Sequence, residues 1–359
     1  MQALSVLDHV GGQLGRLCEV LGIDPDDPAE LMRDLLGPHG SRPLSKSPPW
    51  PSDVSDDNSP VEFSVAWNQT EPPSLRVLAE VVDAAPGVHA NMTAAYDFLD
   101  RQTARHGLRT DRLEAVRDLF EAAGPDAVFA LWCSLVFRSG RRPEFKVYFN
   151  PEAQGIHRAP GLVAEALARL GLSGSYRAML DHAVRPGELG RLDRLSFFAL
   201  DLHDGPQSRV KLYVSHHDAR PRDAARAAAV VDEVHAAEVA EFCALAGRVG
   251  LFTGRPLVSS YTLTEGAARP TGYSVYVPIR GYVGDDREAR RRVLELLSGY
   301  DLDHALLDRA IDAVTRRPLD QGVGLIAHVA LRLGLPRPGL TVYLSAEAYG
   351  VASPTHLAA

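Results

Sequence analysis

Cysteine is scarce. Cys18, Cys133 and Cys243 are the only three in 359 residues, far apart and without a CxxC pair. That excludes a disulfide framework and fits a reducing cytoplasm. Positive charge is also short, with 38 Lys and Arg against 46 Asp and Glu and a net charge of −8. A nucleic-acid partner would call for a basic stripe or arm, so none is expected. No run approaches the roughly 18 uncharged apolar residues of a membrane span. The N-terminus has no basic segment leading into an apolar one, so neither a membrane partner nor export is expected. Phosphate loops of the GxxxxGK[ST] or GxGxxG kind are missing. Asp26-Asp27-Pro28-Ala29-Glu30 superficially matches an aspartate-rich magnesium motif. It has no second copy on another helix, and its acids suit a helix start, with Asp26 and Asp27 as N-caps. Neighbours in His216-His217-Asp218 point opposite ways on a strand end, and no third ligand is evident. No metal is expected.

What is present is a recurring strand. In Glu144-Phe145-Lys146-Val147-Tyr148-Phe149, alternation puts Lys146 and Tyr148 on one face and Phe145, Val147 and Phe149 on the other. The design returns in Arg209-Val210-Lys211-Leu212-Tyr213, Tyr273-Ser274-Val275-Tyr276 and Thr341-Val342-Tyr343-Leu344. The tyrosines Tyr148, Tyr213, Tyr276 and Tyr343 are spaced by 65, 63 and 67 residues. One supersecondary unit used several times around a closed structure explains such a period.

Along the chain, helices are expected over 3–21 and 28–36, followed by a Pro, Ser and Asp-rich connection over 37–60. Five hairpins then pair 61–67 with 75–82, 127–138 with 144–149, 193–202 with 208–215, 256–264 with 271–280 and 323–333 with 339–346. Their turns fall at 68–74, 139–143, 203–206, 265–266 and 334–338. Helices fill 87–105, 109–123, 159–171, 174–183, 221–246 (as one long helix), 286–298 and 302–315. The whole chain, 1–359, reads as a single domain, with 1–58 preceding barrel repeats over 59–350.

This α-β-β-α rhythm predicts an α+β fold, a ten-stranded antiparallel β-barrel surrounded by α-helices. Sequential hairpins pair antiparallel, and a sheet this wide closes instead of leaving edges. The apolar strand faces can be buried only against helices, so the polar faces must line the lumen. That places Glu62, Arg76, Lys146, Tyr148, Arg209, Lys211, Tyr213, Ser274, Tyr276 and Tyr343 inside. Four cations gathered in an acidic protein need an anion, because burying unpaired charge is costly. A phosphate or diphosphate suits Arg and Lys, and tyrosine ring faces stabilise a cation nearby. Were these ordinary solvent-facing strand positions, they would pair with Asp and Glu across the sheet.

Ser59-Pro60-Val61-Glu62-Phe63-Ser64, Lys146-Val147-Tyr148-Phe149, Arg209-Val210-Lys211-Leu212-Tyr213 and Thr341-Val342-Tyr343-Leu344 resemble the dimethylallyltryptophan synthase family of aromatic prenyltransferases. The likeness runs from about 59 to 350 and is strongest to the shorter bacterial indole-prenylating members. It implies the same barrel, dimethylallyl diphosphate as donor, tryptophan or another indole as acceptor, and no cofactor or metal. It implies that Glu62 accepts a hydrogen bond from the indole N–H. Arg76, Lys146, Arg209 and Lys211 correspond to its diphosphate-binding cations, and Tyr148, Tyr213, Tyr276 and Tyr343 to its cation shield. Trp132 stands where many fungal members carry a basic lysine, which turns the expectation away from attack at C4 of the ring. Glu62 or His328 is then the candidate base. Ser274, where many relatives have glutamine, and the neutral Thr341 lighten the diphosphate clamp on that side. Other expectations left open are a phenol, naphthol, tyrosine or cyclic-dipeptide acceptor, and a non-catalytic barrel that binds small molecules.

Overall fold

The computed structural model describes residues 4–44, 47–121, 124, 127–203, 209–334 and 339–355. Ten strands form one closed antiparallel barrel in the order β1-β10-β9-β8-β7-β6-β5-β4-β3-β2. They are β1 (Val61–Asn68), β2 (Ser74–Ala79), β3 (Leu131–Phe137), β4 (Glu144–Phe149), β5 (Asp193–Asp201), β6 (Val210–His216), β7 (Leu257–Leu263), β8 (Gly272–Val277), β9 (Ile326–Gly334) and β10 (Gly339–Ser345). The five expected hairpins are all present, and β1 closes on β10 through pairs from Glu62 with Ser345 to Asn68 with Gly339. Positions 204–206 and 335–338 of the expected turns lie outside the described residues.

Helices α1 (Val6–Leu21), α2 (Asp26–Leu36), α3 (Val88–His106), α4 (Asp111–Val116), α5 (Ala159–Arg169), α6 (Ser173–Ala183), α7 (Pro221–Ala228), α8 (Ala236–Gly247), α9 (Asp286–Gly299) and α10 (Ala305–Val314) surround the barrel. Residues one side of the strand alternation, such as Phe63, Val77, Val147, Leu212 and Val342, are sealed against them. Phe120 stacks on Phe149 at 4.6 Å, and Phe145 meets Phe98 of α3 at 6.5 Å. Outward-facing Tyr261 and Tyr273 pack among apolar side chains and donate their hydroxyls to the carbonyls of Ala227 and Ala224 on α7, each at 3.1 Å. Gln13 of α1 donates to Val314 O and Ala346 O at 2.9 Å, tying the N-terminal helices to the last repeat. None of the described helices is long and apolar enough to cross a membrane.

Several boundaries differ from expectation. The helix expected over 221–246 is two, α7 and α8, because Val230, Val231 and Val234 turn inward between them and are buried. The one over 109–123 stops at Val116 and tightens into a short 3₁₀ turn, Arg117–Leu119. Asp26 and Asp27 sit in the first turn of α2 and do not cap it; Pro25 holds the cap position, and Asp24 Oδ1 receives the Asp26 N–H at 3.1 Å. The strand expected to reach 280 ends at Val277. Pro278 has no N–H to extend the ladder, and the chain turns through Ile279–Gly281 instead.

Candidate active site

The lumen contains a cavity of about 230 Å³. Period-two alternation fills it as expected, with Glu62, Arg76, Lys146, Tyr148, Arg209, Lys211, Tyr213, Ser274, Tyr276 and Tyr343 all on its wall. Trp132, His328 and Thr341 line it too. Strand register sorts these side chains along the barrel axis.

Toward the hairpin turns lie the cations. Lys146 Nζ is 2.8 Å from Asp201 Oδ1, and Arg209 Nε is 3.0 Å from Asp201 Oδ2. Arg332, on the same cavity wall, donates to Asn68. Arg76 and Lys211 have no carboxylate partner among the described residues, and the Arg76 Nε is buried without an acceptor. Among the described residues these five cations thus surround one close carboxylate. Burial, reinforced by Arg209, Lys146 and Arg76, holds the Lys211 ammonium well below the usual lysine range. Burial also brings Lys146 down to about 8, partly countered by Asp201. Burial would raise the Asp201 carboxyl, but Lys146 and Arg209 overcome it and hold Asp201 below the usual range. An anion of several charges is what this cluster lacks.

Two residues further along each up-running strand stand the tyrosines. Their rings form one continuous arc: Tyr148 to Tyr213 at 5.8 Å, Tyr213 to Tyr276 at 5.8 Å and Tyr276 to Tyr343 at 5.9 Å. Burial raises Tyr148 to about 12 and moves Tyr213 and Tyr343 well above the ordinary phenol value, so these three hydroxyls stay neutral. Neutral, electron-rich faces next to an anion site suit a short-lived cation.

At the opposite end the lumen changes character. Trp132 stacks on Phe129 at 3.9 Å and meets Phe197 at 5.4 Å, making an aromatic box beside Tyr148. Glu62 is 95% buried and its carboxylate has no hydrogen-bond or ion-pair partner among the described residues. Burial raises its pKa to about 8, with Arg280 pulling the other way. His328 stands edge-on to Tyr343 at 6.1 Å, and burial together with Arg280 and Arg255 keeps its imidazole neutral.

Sequence reasoning missed Asp201, Phe197, Arg280, Arg332, Asp53 and Val54. A β-bulge between Leu195 and Phe197 reverses the parity of β5, which turns Phe197 inward and sets Asp201 opposite Lys146. Arg280 reaches the cavity because β8 stops at Pro278. Arg332 was findable, since it continues the His328, Ala330 alternation of β9. The metal reading of 216–218 gains nothing. His216 is spent on Asp193 (2.8 Å) and Ser259 (2.9 Å), outside the lumen, and no cluster of His, Cys, Asp and Glu among the described residues could hold an ion.

The family model described as tryptophan dimethylallyltransferase matches residues 29–306. The chain belongs to this family. It is therefore a prenyltransferase. The match begins earlier than the likeness read from residue 59, because it takes in α2 and the connection after it. A solved structure called 6-dimethylallyl tryptophan synthase is 63% identical with a TM-score of 0.96, covering 99% of this chain and 100% of that one. The 6-dimethylallyltryptophan synthase from Micromonospora olivasterospora, in complex with DMASPP and Trp, is 64% identical with a TM-score of 0.95, covering 98% of this chain and 100% of that one. The prenyltransferase PriB, in a ternary complex with L-tryptophan and dimethylallyl thiolodiphosphate, is 38% identical with a TM-score of 0.91, covering 98% and 99%.

Proposed function

We propose that this family member transfers the dimethylallyl group of dimethylallyl diphosphate to C6 of the indole of L-tryptophan. The observation that carries the reading is the juxtaposition of an unbalanced cation cluster with a four-tyrosine arc in one closed lumen. Relatives above 60% identity named for the 6-position support the choice of ring atom.

In this reading Arg76, Lys146, Arg209 and Lys211 bind the donor diphosphate, with Arg332 beside them. The C1–O bond breaks, and its electron pair leaves with a diphosphate whose charge these groups already balance. Tyr148, Tyr213, Tyr276 and Tyr343 face the allyl cation and keep water from it. The indole lies against the cavity faces of Trp132 and Phe197, with its N–H given to Glu62. Attack by the ring forms the C–C bond, and loss of the ring proton restores aromaticity. For that proton the lumen offers neutral His328 and, in its ionised form, Glu62. Ser274 and Thr341 leave the β8–β10 side of the donor site uncharged. The three buried, unpaired cysteines fit work in a reducing cytoplasm.

The test is incubation with dimethylallyl diphosphate and L-tryptophan in EDTA, read by mass and then by NMR. A product heavier by one C5H8 unit and substituted at C6, lost in Lys211→Ala, is the expected result. A product at another ring atom overturns the positional part. No transfer to any indole overturns the whole.

A further inference from the structure

Residues 50–56 cross the end of the barrel where Glu62 lies, and they are held there on both sides. Glu80, just past β2, accepts hydrogen bonds from Trp50 Nε1 (2.9 Å), Ser52 Oγ (2.6 Å) and Asn91 Nδ2 of α3 (3.1 Å). At the other side Ser55 Oγ meets Ser345 Oγ at 2.8 Å, and Asp56 pairs with Arg255 and, at 2.8 Å, with Arg280. Glu80 is 99% buried and spent on this segment, so its role is positional.

Between the two anchors the segment reaches the cavity with two side chains. Val54 packs on Phe129 and Trp132 and itself reaches the cavity wall beside Trp132. The Trp132 Nε1 is buried and has no acceptor among the described residues. Asp53 is exposed at the cavity mouth and makes no hydrogen bond or ion pair among the described residues. The charges around it are Asp56, Arg280 and Arg255, and both arginines are taken by Asp56. A ring lying against Trp132 and Phe197 would share one cavity with this carboxylate.

We propose that residues 50–56 are the acceptor-selecting element of the enzyme, and that Asp53 in it recognises a free α-ammonium group on the acceptor. The inference rests on the L-tryptophan-prenylating reading above and assigns recognition of the acceptor's amine to this segment. An arriving ammonium would meet a carboxylate whose neighbouring arginines are already engaged by Asp56. Glu80 is a positioning residue, acting through Trp50 and Ser52.

The experiment compares L-tryptophan with indole-3-propionate, which keeps the ring and carboxylate but lacks the amine, in wild type, Asp53→Asn, Asp53→Glu and Glu80→Gln. Asp53→Asn is expected to lower the ratio of kcat/KM for L-tryptophan over indole-3-propionate by about two- to fivefold, the range of an exposed ion pair. Asp53→Glu should restore part of that ratio. Glu80→Gln should raise KM for both acceptors without moving KM for the donor. An Asp53→Asn ratio equal to wild type overturns the proposal, as does a Glu80→Gln effect on donor KM alone. If wild type prenylates neither acceptor, it is the broader reading that fails.

Discussion

Lys146 Nζ lies 2.8 Å from Asp201 Oδ1, and the same carboxylate holds Arg209 through its other oxygen. One acid therefore fixes two lumen cations while leaving their cluster short of negative charge. Asp201 is almost wholly buried, so removing it strands both partners. Asp201→Asn should cost roughly 3 kcal/mol of unfolding free energy at neutral pH, as breaking a buried pair does. The folded carboxyl titrates below its unfolded value, so its contribution is present above the ordinary carboxylate range and disappears as pH falls through the depressed value. Denaturant titrations at several pH values should show the wild-type advantage at pH 7 and its shrinkage in strong acid. An equal midpoint at pH 7 would refute it.

Glu62 has the opposite linkage. Its folded pKa of about 8 lies above the unfolded one, so the folded state holds the proton longer. The Glu62 contribution to stability is fully present at low pH and declines as pH rises from about 4.3, the unfolded value, toward 8. Glu62→Gln should melt above wild type at pH 8.5 and lose that advantage by pH 5. The same variant should lose on the order of 100-fold in kcat/KM for the acceptor. In wild type that parameter should climb with pH toward 8 as the carboxylate forms, and the limb should vanish in Glu62→Gln. A gain in stability coupled to a loss of activity is the signature of a buried charge kept for function.

The tyrosine arc predicts a change in partitioning. In Tyr276→Phe the ring stays between Tyr213 and Tyr343, and the allyl cation keeps its wall. In Tyr276→Ala the arc opens where two spacings of 5.8 and 5.9 Å meet. Water then competes for the cation. The ratio of dimethylallyl alcohol to prenylated product should rise severalfold in the alanine variant and stay near wild type in the phenylalanine variant. An unchanged ratio in Tyr276→Ala would remove the arc from the protection of the cation.

The parts of the site that a sequence reveals are those carried by unbroken alternation. Lys146 with Tyr148, Lys211 with Tyr213 and Ser274 with Tyr276 sit two apart on regular strands, so both the barrel and its inner face were legible. Phe197 and Asp201 were not, because a single bulged residue on β5 exchanges inside for outside. Asp53 and Val54 come from a Pro and Ser-rich segment with no period, whose path is set by long-range bonds to Glu80 and Ser345. Arg280 depends on where a strand stops, and a proline decides that locally. Pattern reports faces; it is silent about tertiary anchors.

Lys211 links the donor site to proton uptake. Its ammonium is depressed by burial and by Arg209, Lys146 and Arg76, and Asp201 offsets them only in part. Lys146, at about 8, is depressed less because Asp201 is beside it. A diphosphate placed among these groups supplies the opposite charge that each lacks, so binding should draw protons onto both lysines. Calorimetry at pH 8 with dimethylallyl thiolodiphosphate, in two buffers of different ionisation enthalpy, should reveal net proton uptake. Lys211→Met should take up distinctly less, with the remainder belonging to Lys146. Affinity should fall as pH rises from 7 to 9.5, because charging the lysines then costs more. Heats independent of the buffer would mean that both lysines are already charged in the empty lumen, and that the cluster awaits its anion at full charge.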